Sequence, residues 1–151
     1  MKEKLQEIYT NAVENELGLK SRIDGDGDVV FKHPDMGTMY FSVDEDDPQF
    51  MRLVFPNFAD ERLTGSSRDL LVKAINTVNM KNKAVKLYAR LDEDGTYNVS
   101  AAVECFVASP NNAPTQEHIN GIVRRCMSAL RAGVENLVRE GNKEESNSGG
   151  I

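Results

Sequence analysis

The chain has 151 residues, 40% hydrophobic and 28% charged, with a formal net charge of -6 and a pI near 5.0. A single domain of this length buries about 68–70% of its unfolded surface, so its core needs no disulfide or metal staple. The acidic balance argues against general nucleic-acid binding and against adsorption to anionic lipid, and no apolar run approaches the ~20 residues that span a bilayer.

The N-terminus, Met1-Lys2-Glu3-Lys4-Leu5, mixes charges and has no apolar leader behind it, so the expected compartment is the cytoplasm. Leu5, Ile8, Tyr9, Ala12, Val13 and Leu17 recur at helical spacing, which predicts a first helix over 2–17 with Gly18 at its C-cap. Asp24-Gly25-Asp26-Gly27-Asp28 reads as a turn, Val29-Val30-Phe31 as a short strand, and His33-Pro34-Asp35-Met36-Gly37 as the next turn. In 38–43, Met39, Phe41 and Val43 alternate with Thr38, Tyr40 and Ser42, the period of a strand with one buried face. After the acidic turn 44–48, a third strand is predicted over 50–55, stopped by Pro56 and followed by a loop over 57–65. Strands so close in sequence favour an antiparallel meander.

Ser66 or Ser67 is a suitable N-cap for a middle helix, with Asp69 favourably placed in its first turn. Leu70, Leu71, Ala74, Ile75 and Val78 form its apolar stripe, which fades around 79–82. The clearest strand signal comes next. Val85, Leu87, Ala89 and Leu91 alternate with Lys86, Tyr88 and Arg90; beyond the turn Asp92-Glu93-Asp94-Gly95, odd positions from Tyr97 to Val107 alternate with Asn98, Ser100, Ala102, Glu104 and Phe106. Thr115 caps a long closing helix whose apolar stripe runs from Ile119 to Val138, and Gly141 is expected to end it. One domain over 1–141 with a flexible polar tail over 142–151 is the expected organisation. Cys105 and Cys126, the only cysteines, fall on core-facing positions and read as buried free thiols of a reducing compartment.

The order of these elements resembles the YbjN family, whose fold is like that of the type III secretion chaperones of the CesT type. The resemblance covers roughly Leu5 to Gly141. It rests on the acidic turn before the first strand, the pair Asn76 and Asn79 closing the middle helix, the Asp94-Gly95 hairpin and the long final helix. It implies an α+β fold of order α-βββ-α-ββ-α, an antiparallel sheet with helices packed on one face. It also implies a dimer and a protein-binding or regulatory role, sensory transduction included, with no cofactor.

The motifs that could carry chemistry read more simply as structure. Asp24, Asp26 and Asp28 offer hard oxygen ligands, yet an EF-hand loop wants Gly at its sixth position and Glu at its twelfth, where Val29 and Asp35 stand. Two glycines lined by acids would repel a phosphate. Asn76 and Asn79 are expected to cap the middle helix and tie it to the following strand. His33 and His118 are the only histidines, and neither belongs to a zinc or hydrolase motif. Arg124, Arg125, Arg131 and Arg139, mixed with Glu135, read as the solvated side of the last helix.

The expected functional surface is the second face of the sheet. If the apolar face packs under the helices, then Tyr88, Ala102 and Phe106 point the other way, joined by Tyr40. Large amphipathic side chains on a polar face suit an interface, either with a protein or peptide client or with a second copy. The expectation is therefore a non-enzymatic protein-binding module, chaperone-like or regulatory, with no catalytic residues, metal, cofactor, nucleic acid or membrane. The alternative is a small cytosolic enzyme whose residues converge only in three dimensions; a pocket of perturbed titratable groups would distinguish it.

Overall fold

The structure is a computed structural model and describes residues 1–149. Helix α1 spans Lys2–Glu16 and buries Leu5, Ile8, Tyr9, Ala12 and Val13. Its end is set by Gly18, which takes φ +67 while the Leu19 amide reaches back to the Val13 carbonyl. That left-handed turn costs a glycine nothing and closes the orphan carbonyls. The chain then forms β1 (Ser21–Ile23), β2 (Val29–His33), β3 (Gly37–Ser42) and β4 (Phe50–Asp60), then α2 (Arg68–Lys81), β5 (Val85–Leu91), β6 (Tyr97–Phe106) and α3 (Gln116–Gly149).

All six strands join one antiparallel sheet in the order β1-β2-β3-β4-β6-β5. Val29, Phe31, Met39, Phe41, Met51, Leu53, Val99, Ala101 and Val103 point to one face and merge with the stripes of all three helices into the core. Tyr9 of α1 stacks on Phe41 at 4.7 Å between ring centroids. Gly133 brings α3 hard against β5: a Cβ there would come 2.8 Å from both Val85 methyls.

The α+β architecture with helices on one sheet face is as expected, with three differences. Ser21–Ile23 is a strand, because it pairs with Phe31–Val29 across the Asp24–Asp28 turn; three residues carry too little alternation to be read alone. Pro56 does not stop β4. The register shifts between Phe55 and Ala59, a bulge that absorbs the proline, and pairing resumes at Ala59–Val99 before a 3-10 turn at Glu61–Thr64. Gly141 does not end α3 either. A Cβ there would lie 2.8 Å from Leu63 Cγ, so the glycine permits close approach to the 3-10 turn while the helix continues to Gly149. Glu144, 8% exposed, holds that extension to α2 through Lys73 at 3.3 Å. The expected tail over 142–151 is thus helical to Gly149, and its last two positions lie outside the described residues.

The caps follow expectation. Ser67 Oγ accepts from the Leu70 amide, and Thr115 Oγ1 from the His118 amide. Asn79 donates to the Leu87 carbonyl at 3.0 Å and accepts from the Leu87 amide at 2.9 Å, so one side chain ties α2 to the backbone of β5. Asn76, by contrast, reaches only the Met80 sulfur and ties nothing to the sheet.

Candidate protein-binding face and edge groove

On the face turned away from the helices, one cross-strand row runs Arg22, Val30, Tyr40, Val54, Ala102, Lys86, and Tyr88 stands beside it opposite Ser100. Val54 and Ala102 have no accessible surface although both lie outside the core that the helices cover. Both are short side chains on interior strands, β4 and β6, surrounded by long neighbours. Ala102 therefore points as expected but offers no contact surface, a correction to the expected set. Tyr40 and Tyr88 are half-buried. Burial is the main cause holding the Tyr40 phenol above its usual range, with the nearby Tyr88 adding to it, so Tyr40 stays neutral there.

The face is more cationic than greasy. Arg52 and Lys86 share the Glu104 carboxylate, Arg52 at 3.6 Å, and Arg90 is held by Asp92 at 3.1 Å. Lys86 also lies over the Tyr88 ring, 5.8 Å from its centroid. Net charge conceals this distribution, since the surplus acid lies elsewhere on the chain.

Phe106 differs from the other three. It is 73% exposed, braced edge-on by Phe50 at 5.2 Å, and it stands where β6 outruns β5. Strand β5 begins at Val85 opposite Val103, and Ala84 before it turns the chain away at φ +69. Asn79 occupies the outward N–H and C=O of Leu87, so Lys86, Tyr88 and Arg90 face β6. The same alternation turns the N–H and C=O of Glu104 and Phe106 towards the space β5 leaves empty. Under that edge runs a groove of about 420 Å³, lined by Val103, Cys105, Phe106, Ile122, Cys126 and Ala129, with Arg125 and His118 at its rim. Sequence reasoning missed the groove, although its signal was present: the alternation from Tyr97 to Val107 is longer than its partner from Val85 to Leu91.

Both cysteines are free thiols on this groove; Cys126 is buried and Cys105 half-buried. Burial pushes the Cys126 thiol up to about 11 and raises that of Cys105, which makes them apolar lining rather than nucleophiles. The carboxylate oxygens of Asp24, Asp26 and Asp28 lie within 4.8 Å of one another. Asp24 Oδ1, however, accepts the Asp26 and Asp28 amides, and Asp28 Oδ1 the Val43 amide, which is the bonding of a turn that closes the β1–β2 hairpin and ties it to the end of β3. His33 Nδ1 likewise accepts the Asp35 and Met36 amides.

No protein-family model matches the chain, and no curated protein does. Among solved structures it is similar to YbjN of E. coli, a candidate transcription regulator, with TM-score 0.62 and 14% identity over 98% of this chain and 92% of that one. It is also similar to an uncharacterized protein from Methanothermobacter thermautotrophicus, with TM-score 0.56 and 12% identity over 92% and 98% of the two chains. The chain thus has a YbjN-like fold. Among the described residues, no helix is long and apolar enough to cross a membrane.

Proposed function

We propose that this protein is a non-enzymatic binding module of the cytoplasm, chaperone-like or regulatory, which takes an extended apolar segment of a protein client along the open edge of β6. The observation that carries this reading is Phe106. An aromatic ring exposed at the mouth of an apolar groove, beside unpaired strand donors and acceptors, is the combination that strand addition requires. The incoming backbone would bond to Glu104 and Phe106, and its alternate side chains would enter the groove. Apolar area removed from water there contributes at about 25 cal/mol per Å². Tyr40 and Tyr88 extend the surface across the open face, and Arg125 favours a client with an acidic residue next to its apolar ones.

The test is a display library of extended peptides selected against the wild-type protein. Selected peptides should be apolar at alternate positions, and Phe106→Asp or Ile122→Asp should abolish their binding while circular dichroism and melting stay near wild type. Peptides that bind both variants unchanged would refute the reading. A second copy competing for the same edge would show in light scattering as a dimer lost in both variants.

A further inference from the structure

A second hollow lies at the opposite edge of the sheet, away from the groove beside Phe106. Lys20, Ser21, Arg22, Val30, Lys32 and Thr38 line a shallow cleft of about 340 Å³ across β1, β2 and the start of β3. Register explains why the cations meet. Arg22 pairs with Val30 and Lys32 with Thr38, and one step beyond the Ser21–Phe31 pair Lys20 comes alongside Lys32. Like charges set directly opposite on a sheet destabilise it. Elsewhere on this face each cation has an acid: Glu104 serves Arg52 and Lys86, and Asp92 serves Arg90. Among the described residues, Lys20, Arg22 and Lys32 form no ion pair, although the chain carries a surplus of acids.

We infer that this cleft binds a phosphate-bearing ligand. Three cations converging on one small hollow complement the several oxygens and multiple charge of a phosphoryl group, and the Thr38 hydroxyl adds a neutral donor. Val30 supplies an apolar floor against which the organic part of such a ligand can lie. A phosphate there relieves the repulsion between Lys20 and Lys32, so binding stabilises the fold.

The experiment titrates inorganic pyrophosphate and, separately, AMP into the isotopically labelled protein at low salt, following backbone amides and the melting temperature. Saturable shifts are expected at 20–22, 30–32 and 38, with a raised melting temperature. Tighter binding of AMP marks an organic phosphate as the ligand, and equal or tighter binding of pyrophosphate marks an inorganic one. The double variant Lys20→Gln, Lys32→Gln should weaken binding by about tenfold or more, which is about 1.4 kcal/mol per decade. Without ligand it should melt no lower than wild type, because the repulsion is gone. Absence of saturation at millimolar ligand, shifts centred away from this edge, or undiminished binding by the double variant would overturn the inference. None of these outcomes bears on Phe106, so this site and the client groove stand or fall separately.

Discussion

Replacing Asn79 by Ala removes the one side chain that joins α2 to the outer backbone of β5. Two hydrogen bonds are lost, at 3.0 and 2.9 Å, both to Leu87. Each is worth about 0.5–1.5 kcal/mol net, and because the freed groups lie on a sheet edge that water can reach, the lower part of the range applies. The expected cost is therefore about 1–2 kcal/mol. For a chain of this size that lowers the melting temperature by about 3–6 °C. Ala is also the better helix former, by up to about 0.7 kcal/mol, which would mask part of the loss. Asn76→Ala supplies the correction: Asn76 sits on the same helix, carries the same gain, and reaches only the Met80 sulfur. Urea denaturation of both variants, with hydrogen exchange at the Leu87 amide, measures the difference. Asn79→Ala should fall below Asn76→Ala by about 1–2 kcal/mol and lose protection at Leu87. Equal stability of the two variants, with Leu87 still protected, would refute the claim that the asparagine secures this edge. Freed of Asn79, the outer edge of β5 also exposes a strand template, so the variant should self-associate more readily.

Two further perturbations probe the helix–sheet layer and the acidic turn. Gly133→Ala should destabilise the fold despite a helix gain of about 1 kcal/mol, because its Cβ would lie 2.8 Å from the Val85 methyls, and overpacking of that kind costs about 1–3 kcal/mol. Gly121→Ala on the same helix meets open space and should stabilise by about 1 kcal/mol; calorimetry showing the same sign for both would contradict the close approach. Desolvation raises the Asp28 pKa, with Asp24 and Asp26 adding to it against the Val43 amide and Arg52. A raised carboxyl gives a contribution that is full below the unfolded value of about 3.9 and lost as pH rises through the folded value. Asp28→Asn keeps an oxygen for the Val43 amide, so it should be more stable than wild type at neutral pH. That advantage should shrink on acidification, and an advantage that grows towards pH 4 by urea denaturation would reverse the sign of this reading.

The helices and the longer strands were legible because each carries its own periodicity. Leu5 to Val13 and Leu70 to Val78 repeat at the helical period, and 38–43 and 85–91 alternate, whatever packs against them. The same is true of the caps Ser67 and Thr115 and the turn at Gly18, whose bonds span a few residues. For the candidate site, alternation correctly turned Tyr40, Tyr88, Ala102 and Phe106 to one face, since side-chain direction is a local property of a strand. Whether a side chain that points outward can be touched is not local. Ala102 is sealed between its neighbours on β4 and β5, and Phe106 is left bare because β5 begins only at Val85.

Composition and short-range pattern thus determined the three helices, five of the six strands, their order and the sense of each amphipathic face. Only the tertiary structure decided that Ser21–Ile23 would find a partner, that β4 would bulge past Pro56, and that α3 would run beyond Gly141. It alone also decided that Lys20, Arg22 and Lys32 would share a cleft. A three-residue strand, a proline in a bulge and a glycine within a helix each follow from contacts with distant segments, and register, which period does not encode, sets those contacts.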